Sequence, residues 1–188
     1  GLLVGGFLGT IAGYFGGWID NIIMRACDVF LAVPMMLMAI VIVAALGASI
    51  INLVISLAIA SVPTFARLVR SAVLTVRDME YIEAAKAIGV KTPRTIVHYI
   101  LPNCLGPIIV QTTLRIAATI SNTAALSFLG LGVKAPQPEW GALLSSGREF
   151  IRDSGYLAFI PGLCIMLTIL ALNLLGDGLR DALDPRLK

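Results

Sequence analysis

Charge is scarce in this 188-residue chain: Asp, Glu, Lys and Arg make up 13% of it, where a soluble domain carries about 25%. The shortage is uneven. Residues 1–19, 29–66 and 154–176 contain none of the four, and between 95 and 133 the only one is Arg115. A single histidine, His98, excludes a multi-histidine metal site within the chain. Three cysteines, Cys27, Cys104 and Cys164, stand far apart without metal-ligand spacing, and each lies in or beside an apolar segment, where free Cys packs as a small hydrophobe. There is no phosphate-cradling Gly-Lys-Ser/Thr loop and no Gly-x-Ser-x-Gly elbow. The chain is therefore expected to bind no cofactor or metal itself and to draw any energy from a partner.

What remains is apolar: 58% of residues are hydrophobic and the mean hydropathy is +0.93. A bilayer core about 30 Å thick needs roughly 20 apolar residues per helix, so the charge-free runs predict an all-α, polytopic membrane protein. The run 29–66 is too long for one crossing and breaks at Gly47-Ala48-Ser49, a turn-forming cluster. Five spans result, at about 1–17, 29–46, 50–70, 95–122 and 156–176, in one transmembrane domain over 1–188. Gly1 opens the chain inside an apolar segment, without an initiator Met or signal-peptide n-region, which predicts a beginning that lies elsewhere.

Between spans three and four lies Glu80-Tyr81-Ile82-Glu83-Ala84-Ala85-Lys86-Ala87-Ile88-Gly89, too short and too charged to cross a bilayer. Asp78 is expected to cap a helix starting near Met79, with Glu80 in the first turn, favourable to the helix dipole. Ala84, Ala85 and Ala87 give helix propensity and a thin surface for another protein to approach. Gly89 suits a left-handed helix exit, and Pro93 can open the next helix. The bland alternative is an amphipathic helix lying on the headgroups. With this loop cytoplasmic, ten basic residues fall on its side (Arg25, Arg67, Arg70, Arg77, Lys86, Lys91, Arg94, Arg180, Arg186, Lys188) and three opposite (Lys134, Arg148, Arg152), as the positive-inside rule requires. The net charge of +3 thus reflects topology. No basic stripe with interleaved aromatics points to nucleic acid.

Glu83-Ala84-Ala85, three residues, Gly89, then Leu101-Pro102 resembles the cytoplasmic coupling loop of ABC importer permeases; Tyr99 stands where that pattern often has an aliphatic residue. Further segments are similar to the dipeptide/oligopeptide/nickel permease family: Gly13-Tyr14-Phe15-Gly16-Gly17-Trp18, Asp28 with Pro34, Ala66-Arg67-Leu68-Val69-Arg70, Ile100-Leu101-Pro102-Asn103, Leu126 to Gly132, Asn173 to Asp181, and Asp184-Pro185. The resemblance covers essentially the whole chain and is to the second, "C"-type permease, lacking that subunit's first helix and the external segment after it. It implies a type I importer permease fold in a prokaryotic cell membrane, with the coupling helix and C-terminus cytoplasmic. It also implies partners: a second homologous permease, two cytoplasmic ATPase subunits holding ATP and Mg, and an extracytoplasmic solute-binding protein. Glu80, Tyr81, Glu83, Ala84, Ala85 and Gly89 would meet the ATPase. Cargo would be a di- or oligopeptide, with nickel or another small solute as the alternative.

Arg115, deep in the fourth apolar segment, has two readings: it lines the translocation path with Asn122 and its neighbours Ser121 and Thr123, or it snorkels or pairs structurally. Leu126 to Gly132 reads as a re-entrant or capping segment, and Pro102 and Pro107 as breaks or kinks in the helix. Trp140 reads as an interfacial anchor ahead of an amphipathic stretch at 141–152. An ion-driven carrier or channel is the competing class, but no buried carboxylate offers it a proton or sodium site.

Overall fold

The computed structural model describes residues 1–133 and 136–183. Lys134, Asp184-Pro185, Arg186 and Lys188, used above for sidedness and resemblance, lie outside the described residues. The described residues form helices and no strand: α1 (Leu2–Phe15), α2 (Gly17–Leu31), α3 (Met35–Leu46), α4 (Ile50–Arg77), α5 (Glu80–Ala87), α6 (Thr92–Thr95), a π-helical turn (Ile96–Ile100), α7 (Leu101–Phe128), α8 (Trp140–Gly147), a 3₁₀ turn (Arg148–Phe150), α9 (Ile151–Ser154) and α10 (Tyr156–Leu183).

Among the described residues three helical stretches are long and apolar enough to cross a membrane: Ile50–Arg77, Thr92–Phe128 and Tyr156–Leu183. The count becomes four if α2 and α3, bent by 81° at their junction, form one broken span. The expected helix at 29–46 is thus not straight; it turns before Pro34, which blocks α geometry for the residue ahead of it. With 14 residues, α1 covers ~21 Å at 1.5 Å per residue, short of a full crossing. The expected break at 47–49 is present. Ser49 Oγ accepts from the Asn52 N–H (3.1 Å), and Asn52 Nδ2 donates back to the carbonyls of Leu46 (2.8 Å) and Gly47 (2.9 Å), which ties off the end of α3 and the start of α4 together.

The residues divide into two compact units. The first comprises 1–33, 61–112 and 180–183. Its core draws Val69, Val73 and Val76 from one face of α4, Ile82 from α5, and Ile100, Cys104 and Ile108 from the π turn and α7, with Leu2 and Tyr14 packed against them. α1 is pressed onto α4 through Gly5, Gly9 and Gly13. A Cβ on these would lie 2.5 Å from the Val62 carbonyl oxygen, 2.3 Å from the Ala66 carbonyl oxygen and 2.9 Å from Val73 Cβ. Lipid tails are as apolar as leucine, so such helices associate by close backbone approach rather than by hydrophobic exclusion. Two ion pairs join α2 to α4: Arg70 grips Asp20 with Nε and Nη2, both at 2.5 Å, and Arg67 meets Asp28.

The second unit comprises Pro34–Ala60 and Thr113–Leu179, with a core of Ala39, Val43, Leu53, Leu57 and Leu126. The segment from Leu126 to Gly132 is not re-entrant. α7 runs unbroken through Pro107 to Phe128, and Gly130 (φ 79°) then closes it, its N–H bonding the Ser127 carbonyl (2.9 Å) and the Leu131 N–H the Leu126 carbonyl (2.9 Å). This paired closure satisfies the last carbonyls of the helix. The stretch is apolar because Leu126 is a core residue and Leu131 packs against that core. α8 opens on Glu139, whose carboxylate accepts from the N–H groups of Gly141 (3.0 Å) and Ala142 (2.8 Å). Gly141 seats α8 against Ala124 of α7 and Gly147 seats it against Leu157 and Ala158 of α10.

Candidate functional site

The short charged helix α5 is fixed from below and bare above. Ile82 (0% exposed) and Ala85 (4%) are its inward positions, three residues apart and so on one face. Ile82 enters the cluster of Val73, Val76, Ile100 and Cys104. Lys86 places its ammonium over the Tyr14 ring, 5.7 Å from the centroid, and so ties α5 to the end of α1. The start differs from expectation. Met79, not Asp78, occupies the N-cap and makes no side-chain cap bond, because the Asp78 carboxylate is held by Arg77 Nε at 3.1 and 3.3 Å. Arg77 also donates to the Gly13 carbonyl (2.8 Å).

The exit is as Gly89 predicts. Gly89 has φ 80°; its N–H bonds the Lys86 carbonyl (3.0 Å) and the Val90 N–H bonds the Ala85 carbonyl (3.1 Å). That is a full Schellman closure, which a residue with a Cβ enters only with strain. Nothing lies within 4 Å of a Cβ built there, so backbone conformation rather than crowding selects glycine.

The outward surface comprises Glu80, Tyr81, Glu83, Ala84, Ala87 and Ile88. Ala85 does not belong to it, and its smallness serves the inner contact. Tyr81, Ala84 and Ile88 recur at i, i+3 and i+7, an apolar stripe one residue wide, with Ile88 80% exposed. Glu80 and Glu83 lie in the first turn, and neither carboxylate has a hydrogen-bond or ion-pair partner among the described residues. Partial withdrawal of its ring from water, with a smaller contribution from Cys104, raises the Tyr81 phenol above its usual value, so it presents a neutral hydroxyl. Two free carboxylates beside an apolar stripe on a rigid peg suit a protein partner with a basic rim and an apolar floor. A headgroup layer, which is itself anionic, would repel them.

Arg115 and Asn122 stand two turns apart on α7. Arg115 is exposed, and its guanidinium has no partner among the described residues. Its carbonyl accepts from Thr119 Oγ1 (2.8 Å). Asn122 is half-buried, its amide 4.0 Å from Met35 Sδ. Neither Arg115 nor Asn122 lines the apolar cavity of about 370 Å³ between Ile116, Thr119, Thr123, Trp140 and Ile165.

Residues 5–188 match the family described as binding-protein-dependent transport system inner membrane component. The chain belongs to that family. It is 54% identical over 187 residues to a dipeptide transport system permease protein of Alkalihalophilus pseudofirmus. It is 48% identical over 188 residues to a glutathione transport system permease protein of Pectobacterium atrosepticum and 48% over 187 to a di/tripeptide permease of Pseudomonas aeruginosa. Each comparison takes in 100% of this chain and 62% of the relative, so the chain spans less than two thirds of their length. A solved structure of the MetNI methionine ABC transporter, in inward-facing conformations, superposes with a TM-score of 0.69 at 18% identity, covering 97% of this chain and 91% of that one. The fold is therefore that of an ABC transporter membrane chain.

Several residues that build the site in this inner-membrane component escape a reading by motif. For Gly5, Gly9 and Gly13 the missed signal is their four-residue spacing, the small-residue pattern of close-packed membrane helices. The Lys86–Tyr14 contact and the inward direction of Ala85 carry no signal in the sequence, since both depend on how α5 docks.

Proposed function

We propose that the chain is a permease subunit of an ATP-driven importer of di- or oligopeptides, forming half of a translocation pathway and coupling to a cytoplasmic ATPase through α5. The observation that carries this is the two-faced α5: Ile82 and Ala85 locked inward, Glu80, Glu83 and the Tyr81–Ala84–Ile88 stripe free outward. The relatives' names, dipeptide, di/tripeptide and glutathione permease, support a peptide cargo. A second permease would complete the pathway, and two ATPases, supplying ATP and Mg, would move both peg helices together. An extracytoplasmic binding protein would deliver the cargo. The switch belongs to the rigid-body class of transitions. The basic-residue asymmetry supports a cytoplasmic α5.

Exposed and without a partner among the described residues, Arg115 lines the path in this reading and meets a peptide carboxylate, with Asn122 two turns further on. Arg115→Gln should leave complex assembly intact and reduce uptake of a zwitterionic peptide about tenfold or more, the loss of one charge-assisted contact of about 1.5–3 kcal/mol. Unchanged uptake returns Arg115 to the lipid interface.

Reconstitution with the partner subunits and the binding protein tests the whole reading. ATP-dependent peptide accumulation in proteoliposomes is expected. Accumulation driven by an ion gradient without ATP would establish a secondary carrier instead, and the ligand co-purifying with the binding protein separates peptide from nickel.

A further inference from the structure

The helix that starts at Thr92 is irregular where it leaves the coupling loop. Ile96–Ile100 is a π turn, in which the Leu101 N–H reaches back five residues to the Ile96 carbonyl. Pro102 follows. It has no N–H to offer His98, and in α geometry its ring would strike the His98 carbonyl; the wider turn relieves that clash. Asn103 Nδ2 closes over the opening by donating to the Tyr99 carbonyl at 2.6 Å. The turn has a fixed side and a loose side. Thr95, Ile100 and Cys104 are buried, with Ile100 and Cys104 in the cluster that holds Ile82 of α5, while Val97 and His98 are exposed.

We propose that the π turn at Ile96–Ile100, with Pro102, is the hinge that converts displacement of α5 into rotation of α7; this rests on the importer reading above. α5 and the turn share one buried cluster, so α5 cannot shift without carrying Ile100. Bending a regular helix strains every bond of its ladder, whereas a π turn bordered by a proline already lacks one bond. Compliance therefore concentrates there, as at π turns and prolines generally. In a merely accommodating role the turn would stay the same in every nucleotide state.

A π turn is one extra residue in an α-helix, so deleting His98 removes it and preserves the register on both sides. His98 is exposed, so the core loses nothing. In proteoliposomes holding the full complex and a loaded binding protein, with isotopically labelled dipeptides as probe, the His98 deletion should bind the ATPase within twofold of wild type. It should move at least tenfold less peptide per ATP. An assembled deletion variant that transports within twofold of wild type overturns the hinge. If the deletion prevents assembly, Pro102→Ala, which restores the missing N–H, decides on the same measure. Hydrogen exchange at the amides of 96–103 should differ at least tenfold between nucleotide-free and vanadate-trapped wild-type complex; identical rates also overturn the hinge. Wild-type complex that hydrolyses ATP without moving peptide refutes the importer reading, whereas failure confined to the hinge leaves wild-type transport intact.

Discussion

Gly9 is the residue with least room. A Cβ there would sit 2.3 Å from the Ala66 carbonyl oxygen and 3.0 Å from the Arg70 nitrogen, both backbone atoms that cannot rotate away. Gly6, one position on, faces only Val69 Cγ2 at 3.9 Å. Gly9→Val should therefore push α1 off α4 and carry away two further contacts: the Lys86 seat on Tyr14 and the Arg77 bond to the Gly13 carbonyl. Overpacking of a tight interface costs about 1–3 kcal/mol, and contact with backbone puts Gly9→Val at about the upper end. Gly6→Ala, an ordinary contact, should cost nothing measurable. Thermal unfolding in detergent checks the pair: a lowered midpoint for Gly9→Val alone is expected, and equal midpoints would show that the two helices do not depend on close approach. The ion pairs between α2 and α4 rank by the same local reasoning. Arg70 and Asp20, at 32% and 14% side-chain exposure, form a two-pronged, partly buried contact, whereas Arg67 and Asp28 are about half exposed and screened accordingly.

At the scale of the element, α5 is a peg whose two ends are set by different physics. Its exit is enforced by conformation, so Gly89→Val should cost about 1–2 kcal/mol of left-handed strain and loosen the last turn, although no atom obstructs the side chain. Its outer carboxylates are enforced by nothing within the described residues. Glu83→Ala should thus leave stability unchanged and weaken ATPase association by roughly tenfold, the size of one charge-assisted bond. Pull-down of the ATPase with substrate-stimulated hydrolysis in parallel reads both; two variants that bind and couple like wild type would remove α5 from the coupling role. Much of this element was legible in advance. Gly89 is a helix exit by backbone preference alone, and the 47–49 break by turn chemistry. Asp78 misled because cap preference is a local rule and Arg77, its neighbour, claimed the carboxylate first. The π turn stayed hidden since proline predicts a disturbance without saying which register absorbs it, and Pro107, equally visible, sits in unbroken helix. Leu126 to Gly132 read as a separate segment because apolarity after an expected span end has two causes, and a helix that simply continues is one of them.

At the scale of the molecule, surface decides what surrounds the chain. Large apolar side chains stand exposed along its length, Leu3, Trp18, Phe159 and Leu174 among them, and the α10 span, the most apolar of the three, is almost wholly uncovered. Water would not tolerate such faces; lipid would. Length and charge together support the proposed sidedness. The stretch Thr92–Phe128 has 37 residues, ~55 Å of helix at 1.5 Å per residue, against a hydrocarbon core of about 30 Å. The stretch is therefore long enough to cross even when strongly tilted. We propose that the α5 side is cytoplasmic: in the sequence, ten basic residues fall on the α5 side of the expected topology and three on the other. Each Lys or Arg held near the anionic cytoplasmic leaflet is favourable by about 1 kcal/mol, which favours that arrangement over the inverted one. Lys91 and Ser146 are exposed on the two sides. Placed singly as Lys91→Cys and Ser146→Cys in a chain whose Cys27, Cys104 and Cys164 have been replaced by Ala, they offer the same thiol to a membrane-impermeant maleimide. In intact cells Ser146→Cys should label and Lys91→Cys should label only after permeabilisation. The reverse pattern would invert the topology and place α5 beyond the reach of any cytoplasmic ATPase, and labelling of both in intact cells would mean that Thr92–Phe128 does not cross.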